Sequence, residues 1–227
     1  VQNLAIFSYD VKDIMNLIKK RSKEELQDGI IVYQNFLDPI LLANLLTEVH
    51  SPVSKWVVNK SITNEIPAEH LNTFDKNSAY QEFPTCEEKY NIQCVRMVLD
   101  FGNLNSLFEP EFHIQERNIM QCLDPPFQKI LKVDTWQRIK INKTFCTDKI
   151  VEHGFHIDRA PLTEKTKLCT TAVLHLDNSN GYTKFAKNDI TISSKENQLI
   201  VFPAHLYHTG TTCTDSAFRT VINFNFY

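Results

Sequence analysis

Residues 135–227 predict a β-sandwich or barrel, and residues 1–134 predict helices and a few strands wrapped around it, so the fold class is mainly β with flanking helices. Three observations carry this. From Trp136 onward the chain breaks into short strand-like runs at spacings near ten residues. The first of them, TWQRIKINKTF, alternates polar and apolar positions. Helical periodicity is confined to the part before Asp134, and no composition break there marks a second, independent domain.

The elements follow in order. Asp10 precedes VKDIMNLIKK, where Val11, Ile14, Met15, Leu17 and Ile18 fall at helical spacing. The charged RSKEELQD continues that segment to a stop at Gly29. GIIVYQNF is a short β-branched strand. Asp38 then caps a helix with Pro39 in its first turn, where a missing N–H is harmless, and Leu41, Leu42, Leu45, Leu46 and Val49 face the core. Ser51-Pro52 ends it. KWVV at Lys55–Val58 reads as a strand, and the polar stretch from Lys60 to Thr85 as loop. Glu87–Phe101 reads as a helix with Tyr90, Cys94, Val95, Val98 and Leu99 on one side. Pro110–Leu123 and Phe127–Val133 read as two helices split by Asp124-Pro125-Pro126, with His113 in the first as a surface or core residue.

In the β part, Trp136, Arg138, Lys140 and Asn142 share one face of a strand, and Ile139 and Ile141 the other. LCTTAVLHL, TKF, DITIS, QLIVF and RTVINFNFY follow as strands, and Asn180-Gly181 is a hairpin signal.

Composition narrows the function. At 227 residues, 42% hydrophobic and 22% charged, the chain can bury the core of one generous domain. A net charge of -3 and a pI near 6.3 argue against a nucleic-acid partner. No window approaches the roughly 20 apolar residues of a membrane span. VQNLAIFSYD lacks the layout of a secretion signal. The expectation is a cytoplasmic protein without a membrane partner. The 6 Cys are scattered with no CxxC pair, which points to free thiols rather than a zinc knuckle or a disulfide framework. With 5 Gly and no glycine-rich motif, phosphate-cradling loops are absent.

The chemistry concentrates in VEHGFHID, Val151–Asp158. In extended backbone, side chains two apart face the same way, so His156 and Asp158 converge. A third ligand is offered by His208 in FPAHLYHTG. Two His and one carboxylate with open positions opposite is the ligand set of non-haem Fe(II) oxygenases. His153 rivals His156, but its odd offset faces it away from Asp158; His205 rivals His208, which is preferred because it abuts Thr209-Gly210 and lies nearer Arg219. His175 is out of phase with Leu174 and Leu176, which a polar surface face explains. Arg219 shares a face with Val221, Asn223 and Asn225, and a guanidinium there suits an acidic co-substrate.

The motifs HGFHID, NGYTKF, ENQLIVFPAHLYHTG and TDSAFRTVINFNF, with IVYQNFLDPILLANLL at the front, resemble the Fe(II)/2-oxoglutarate-dependent dioxygenases, especially prolyl-hydroxylase-like members and members from marine phage and bacteria. The resemblance is dense over about 135–227 and thin between 50 and 134. It implies a double-stranded β-helix, or jelly roll, with Fe(II) on His156, Asp158 and His208, and the far carboxylate of 2-oxoglutarate on Arg219. Many relatives place a Ser or Thr two residues after that Arg; here it is Val221, so the contact is absent or comes from elsewhere, with Thr209 and Thr211 as candidates. The residue holding the near carboxylate varies across the family; by facing alone, Asn142 and Arg138 on the strand before HGFHID are the candidates. The implied reaction is hydroxylation or demethylation of a small-molecule or peptide substrate by O2, with 2-oxoglutarate leaving as succinate and CO2. Halogenating relatives replace the position of Asp158 with a small residue, so a carboxylate here favours hydroxylation or demethylation. Two other readings compete: a cupin-like metal-binding jelly roll that does not use 2-oxoglutarate, and a non-catalytic jelly-roll binding module.

Overall fold

Period-two alternation sorts the strands' side chains onto two faces, and each face has a different neighbour. The computed structural model describes residues 20–59, 90, 92–100, 110–158 and 168–227. Its strands are β1 (Ser22–Glu25), β2 (Ile31–Gln34), β3 (Val57–Asn59), β4 (Gln93–Asp100), β5 (Trp136–Phe145), β6 (Thr170–His175), β7 (Tyr182–Phe185), β8 (Thr191–Ser193), β9 (Gln198–Pro203), β10 (His208–Gly210) and β11 (Phe218–Phe226). Its helices are α1 (Pro39–Val49) and α2 (Pro110–Leu131). Eight strands pair in the order β1-β2-β9-β6-β11-β5-β4-β3, and a three-stranded sheet runs β10-β7-β8. Every strand pair is antiparallel.

One face of the large sheet carries Ile139, Ile141, Leu174, Leu199, Ile222 and Phe224, all fully buried in one cluster with Leu45 of α1 and Ile119 and Leu123 of α2. The alternate positions Val173, Ile200, Phe202 and Val221 join Phe185 and Ile192 of the small sheet in a second cluster. The remaining residues of that face, on β5 and β11, are polar, and Lys140, Asn142, Thr144, Arg219 and Asn223 among them line a cavity. Each fully buried Leu, Ile or Phe contributes about 1.5–3 kcal/mol, so these clusters hold the sheets in register.

The cap of α1 is as the sequence predicts: the Asp38 carboxylate accepts from the Ile40 and Leu41 N–H groups at 3.0 Å, with Pro39 next. Leu45 and Val49 are buried, and Leu41, Leu42 and Leu46 pack partly buried against them.

Five expectations are corrected. Ser22–Glu25 is not the tail of a helix but an edge strand, exposed throughout and held by its ladder to β2. Gly29, at φ 75°, and Asp28, at φ 56°, make the turn between the two strands. Residues 93–100 form β4, not a helix. A register shift between Met97 and Leu99 breaks the strand's alternation, and this gives Cys94, Val95, Val98 and Leu99 their helix-like spacing. The buried Arg96 fastens β4 to α2 through Glu116 at 2.8 Å and reaches the Glu48 carbonyl of α1 at 3.3 Å.

The two helices predicted across Asp124-Pro125-Pro126 are one, because α2 runs through both prolines. Their missing N–H groups leave two helical carbonyls unbonded, and one interior proline costs about 3 kcal/mol. The offset is Phe127, fully buried, with ring centroids 4.5 Å from Phe224, 5.0 Å from Phe36 and 5.1 Å from Trp136. Phe127→Ala is therefore expected to cost about 3–5 kcal/mol in chemical denaturation; a loss below ~1 kcal/mol would mean the aromatic cluster does not hold α2.

Trp136 does not share a face with Arg138. The β5–β11 register jumps from Asn225↔Arg138 to Phe226↔Trp136, and this turns the indole to the helix side. Asn180-Gly181 closes no hairpin either: β6 belongs to the large sheet and β7 to the small one. The Asp10-capped segment, the Lys60–Thr85 stretch and the His113 side chain lie outside the described residues. Among the described residues no helix is long and apolar enough to cross a membrane. Cys94, Cys122, Cys146, Cys169 and Cys213 are free thiols.

Candidate metal centre

VEHGFHID is not a regular strand. It touches the neighbouring segment through two isolated antiparallel bridges, Glu152↔Thr211 and His156↔His208. At the second, each backbone N–H donates to the other residue's carbonyl at 3.0 Å. That exchange sets the two imidazoles side by side, with ring centroids 4.6 Å apart. Asp158 completes the group: one ligand atom from each of His156, Asp158 and His208 lies within 4.8 Å of the others.

Hydrogen bonds behind the group choose the atoms that face forward. Nδ1 of His156 lies 3.2 Å from the Gly154 carbonyl, and Nδ1 of His208 lies 3.0 Å from the Leu206 carbonyl. A carbonyl only accepts, so each Nδ1 carries the proton and each Nε2 presents a lone pair. The Asp158 side chain, 5% exposed, is held by Arg138 Nη2 at 3.2 Å and by Asn225, which donates from Nδ2 at 3.2 Å. Burial alone would raise its pKa. His208, Arg138, His156 and the Asn225 hydrogen bond outweigh that and keep the carboxylate ionised well below the usual range. Two imidazole nitrogens and one anionic oxygen therefore face a common point.

His153 is not part of this group. It is 2% exposed, with Nδ1 3.1 Å from the Gly210 carbonyl, and burial pushes it down to about 4. His205 is exposed in the turn before β10 and is also outside the group.

Arg219 lines the same cavity and is 4% exposed. Its Nε donates to Ser194 Oγ at 2.6 Å and its Nη2 to Thr183 Oγ1 at 3.1 Å. Nη2 also lies 3.4 Å from Nε2 of His175. No described carboxylate lies within ion-pairing distance, and burial pushes the guanidinium down to about 10. Gly181 makes room for it: a Cβ there would sit 2.7 Å from Arg219 Cδ and 2.8 Å from the Thr212 carbonyl oxygen. The Asn-Gly pair thus serves a close approach to Arg219 rather than a turn.

His175 is corrected from a surface position to a fully buried one beside Arg219. The hydroxyls on the guanidinium come from Thr183 and Ser194, not from Thr209, whose Oγ1 donates to the His153 carbonyl at 2.5 Å. Thr211 lines the cavity and accepts from the Tyr182 N–H at 2.9 Å. Val221 is buried in the cavity wall. Asn142 also lines the cavity, with its buried Oδ1 unbonded, whereas Arg138 is engaged with Asp158.

Cross-strand register explains what the sequence reading missed. Along the β5–β11 ladder the cavity-side partners are Thr144↔Arg219, Asn142↔Val221, Lys140↔Asn223 and Arg138↔Asn225. The last rung brings both outer partners onto Asp158. Alternation on each strand was visible, but the pairing between the strands was not.

His153 and His175 titrate with a definite sign. Burial, first in each case, holds both below the ordinary value of 6.5. As pH falls through 6.5 the unfolded chain takes up protons that the folded rings refuse. Stability should therefore drop by about 1.4 kcal/mol per pH unit for each ring, until the folded ring titrates in turn. Urea denaturation of the metal-free protein at pH 7 and pH 5 checks this; equal stabilities would show that the rings titrate normally.

The fold is shared with solved structures. A 2OG-Fe(II) oxygenase family oxidoreductase from Burkholderia pseudomallei matches with a TM-score of 0.52 at 13% identity, over 88% of this chain and 86% of that one. A prolyl hydroxylase from Trichoplax adhaerens, solved with a hypoxia inducible factor peptide, matches at 0.51 and 13%, over 88% and 84%. The non-heme alpha ketoglutarate dependent epimerase SnoN from nogalamycin biosynthesis matches at 0.54 and 10%, over 88% and 78%. At these identities the likeness is one of fold, and it makes this chain a jelly roll of the same kind. No protein-family profile matches the sequence, and no curated protein matches it significantly.

Proposed function

We propose that this protein is an Fe(II)- and 2-oxoglutarate-dependent oxygenase that hydroxylates or demethylates a small-molecule or peptide substrate. One observation carries the reading: His156 and His208, grouped with Asp158, line a single cavity together with a buried Arg219 that has no carboxylate within ion-pairing distance among the described residues. The residues fit the metal. Two imidazole nitrogens with free lone pairs and one ionised carboxylate are the donors a non-haem Fe(II) site needs. They fit the co-substrate as well, because an unpaired buried guanidinium is costly alone and matches a carboxylate. Iron bound there would supply, with O2 and 2-oxoglutarate, the oxidising chemistry that acts on the substrate C–H bond, with succinate and CO2 as co-products.

The chain's own residues orient and exclude. Arg138 and Asn225 fix the direction of the Asp158 carboxylate, and the Gly154 and Leu206 carbonyls fix the ring tautomers. Ser194, Thr183 and His175 hold the Arg219 fork in place before any ligand arrives, which lowers the ordering cost of binding. Val173 and Val221 keep one wall of the cavity apolar. Asn142 offers its unbonded amide oxygen, an acceptor, toward a ligand lying between Arg219 and the donor group.

The direct test is substrate-independent turnover. Purified protein with Fe(II) and 2-oxoglutarate should release succinate only in the presence of O2. Absence of succinate, together with absence of 2-oxoglutarate binding in the Mn(II)-loaded protein, would overturn the reading.

A further inference from the structure

One charged side chain on the cavity wall remains without a partner among the described residues. Lys140 is half-buried on β5 opposite Asn223, and both line the cavity. No described carboxylate lies within ion-pairing distance of its ammonium, and it makes no hydrogen bond to a described residue. The other cations nearby are accounted for. Arg138 is engaged with Asp158, and Arg219 faces the site assigned to the far carboxylate of 2-oxoglutarate. Glu152, in the VEHGFHID segment, is taken up by Tyr182 and Lys184 and does not line this cavity.

Position along the ladder says which end of the cavity Lys140 serves. It is two residues from Arg138, which holds Asp158, and four from Thr144, which pairs with Arg219. At about 3.4 Å per residue its backbone lies roughly 7 Å from the Arg138 rung and roughly 14 Å from the Arg219 rung. Lys140 therefore sits on the donor-group side. Burial, with the Arg138 charge adding and Asp158 opposing, lowers it to about 8, which leaves the ammonium mostly protonated at neutral pH. A half-buried cation with no described carboxylate at ion-pairing distance, beside neutral amides and an apolar wall, is a binding feature for an anion.

We propose that Lys140 selects a primary substrate carrying an anionic group, a carboxylate or a phosphate ester, and anchors it beside the metal donors with the Asn223 amide alongside. This rests on the oxygenase reading, because it leaves 2-oxoglutarate to Arg219. The rival role for Lys140 is to hold the near carboxylate of 2-oxoglutarate itself.

The experiment uses the protein loaded with Mn(II) and saturating 2-oxoglutarate, without O2. Paramagnetic broadening of the probe's methyl protons reads proximity to the metal. Propionate and ethyl phosphate are the anionic probes, and propionamide is the neutral counterpart. Broadening should favour an anion over the amide by about tenfold, as loss of one charge-assisted contact predicts, and the stronger anion names the class. Lys140→Met should abolish that preference and Lys140→Arg should keep it, while the 2-oxoglutarate Kd of Lys140→Met stays within about threefold of the unaltered protein. Equal broadening by anion and amide, or an anion preference that survives in Lys140→Met, overturns the proposal. So does a larger rise in the 2-oxoglutarate Kd, which would assign the ammonium to the co-substrate. If the unaltered protein binds no 2-oxoglutarate, the oxygenase reading falls and takes this proposal with it; every other failure removes the proposal alone.

Discussion

Asp158→Ala is expected to weaken Mn(II) or Fe(II) binding by at least ~100-fold and to abolish succinate release, since loss even of a residue behind a metal ligand costs 10–100-fold. Asp158 is the only anionic member of the donor group, and it is held ionised at all ordinary pH values by its surroundings. Removing it takes away the one donor whose charge opposes that of the metal. It also leaves Arg138 and the Asn225 amide pointing at the metal position, where a cation is repelled. The side chain of Arg138 is 24% exposed and can turn to water, so the variant should fold with only a modest stability loss. Calorimetric titration of metal at pH 7.5 is the readout. An unchanged Kd would remove Asp158 from the site and with it the proposed chemistry.

Arg219→Met is expected to raise the 2-oxoglutarate Kd by at least ~100-fold, because truncating one partner of a buried, hydrogen-bonded charge pair costs about 2–5 kcal/mol. Its effect on the ligand-free protein should be small. The guanidinium is hydrogen-bonded to neutral partners and Asp177 acts on it only beyond ion-pairing distance, so most of its desolvation penalty is not recovered until a carboxylate arrives. Replacing it with an apolar chain of similar length removes that penalty and leaves the Ser194 and Thr183 hydroxyls unbonded, and the two effects oppose one another. Thermal unfolding separates them. In the unaltered, metal-loaded protein, 2-oxoglutarate at about 100 times its Kd should add ~2.7 kcal/mol, or roughly 5–10 °C. In Arg219→Met the same concentration should add less than ~2 °C. A full ligand-induced shift in the variant would mean that the co-substrate binds elsewhere.

Both predictions concern side chains whose sequence motifs were visible and whose environments were not. His156, Asp158, His208 and Arg219 stand out by residue type and order, and the structure brings His156, His208 and Arg219 to one cavity and sets Asp158 beside the two imidazoles. The partners that tune them do not stand out. Arg138 reads as one of several polar positions on an alternating strand, and only the Asn225↔Arg138 rung shows that it serves Asp158. His175 reads as a surface residue because its apolar neighbours face the helices. It is buried because β11 and β9 flank it on both sides. The Asn180-Gly181 pair carries the strongest turn signal in the chain, yet the glycine is there for the Arg219 side chain.

The same division runs through the fold. Local chemistry by itself determined α1, with its Asp38 cap and Pro39, and the alternation of β5 and β11, because capping bonds and side-chain periodicity act within a few residues. Tertiary structure alone decided that Ser22–Glu25 is an edge strand, that Gln93–Asp100 is a strand with a register shift, and that α2 passes through Pro125 and Pro126. In each of these the deciding free energy comes from residues distant in the chain: a ladder partner, or the ring cluster around Phe127. The metal donors divide in the same way. Their residue types are written in VEHGFHID and AHLYHTG, but their convergence comes from a backbone bridge between His156 and His208 that no spacing rule encodes.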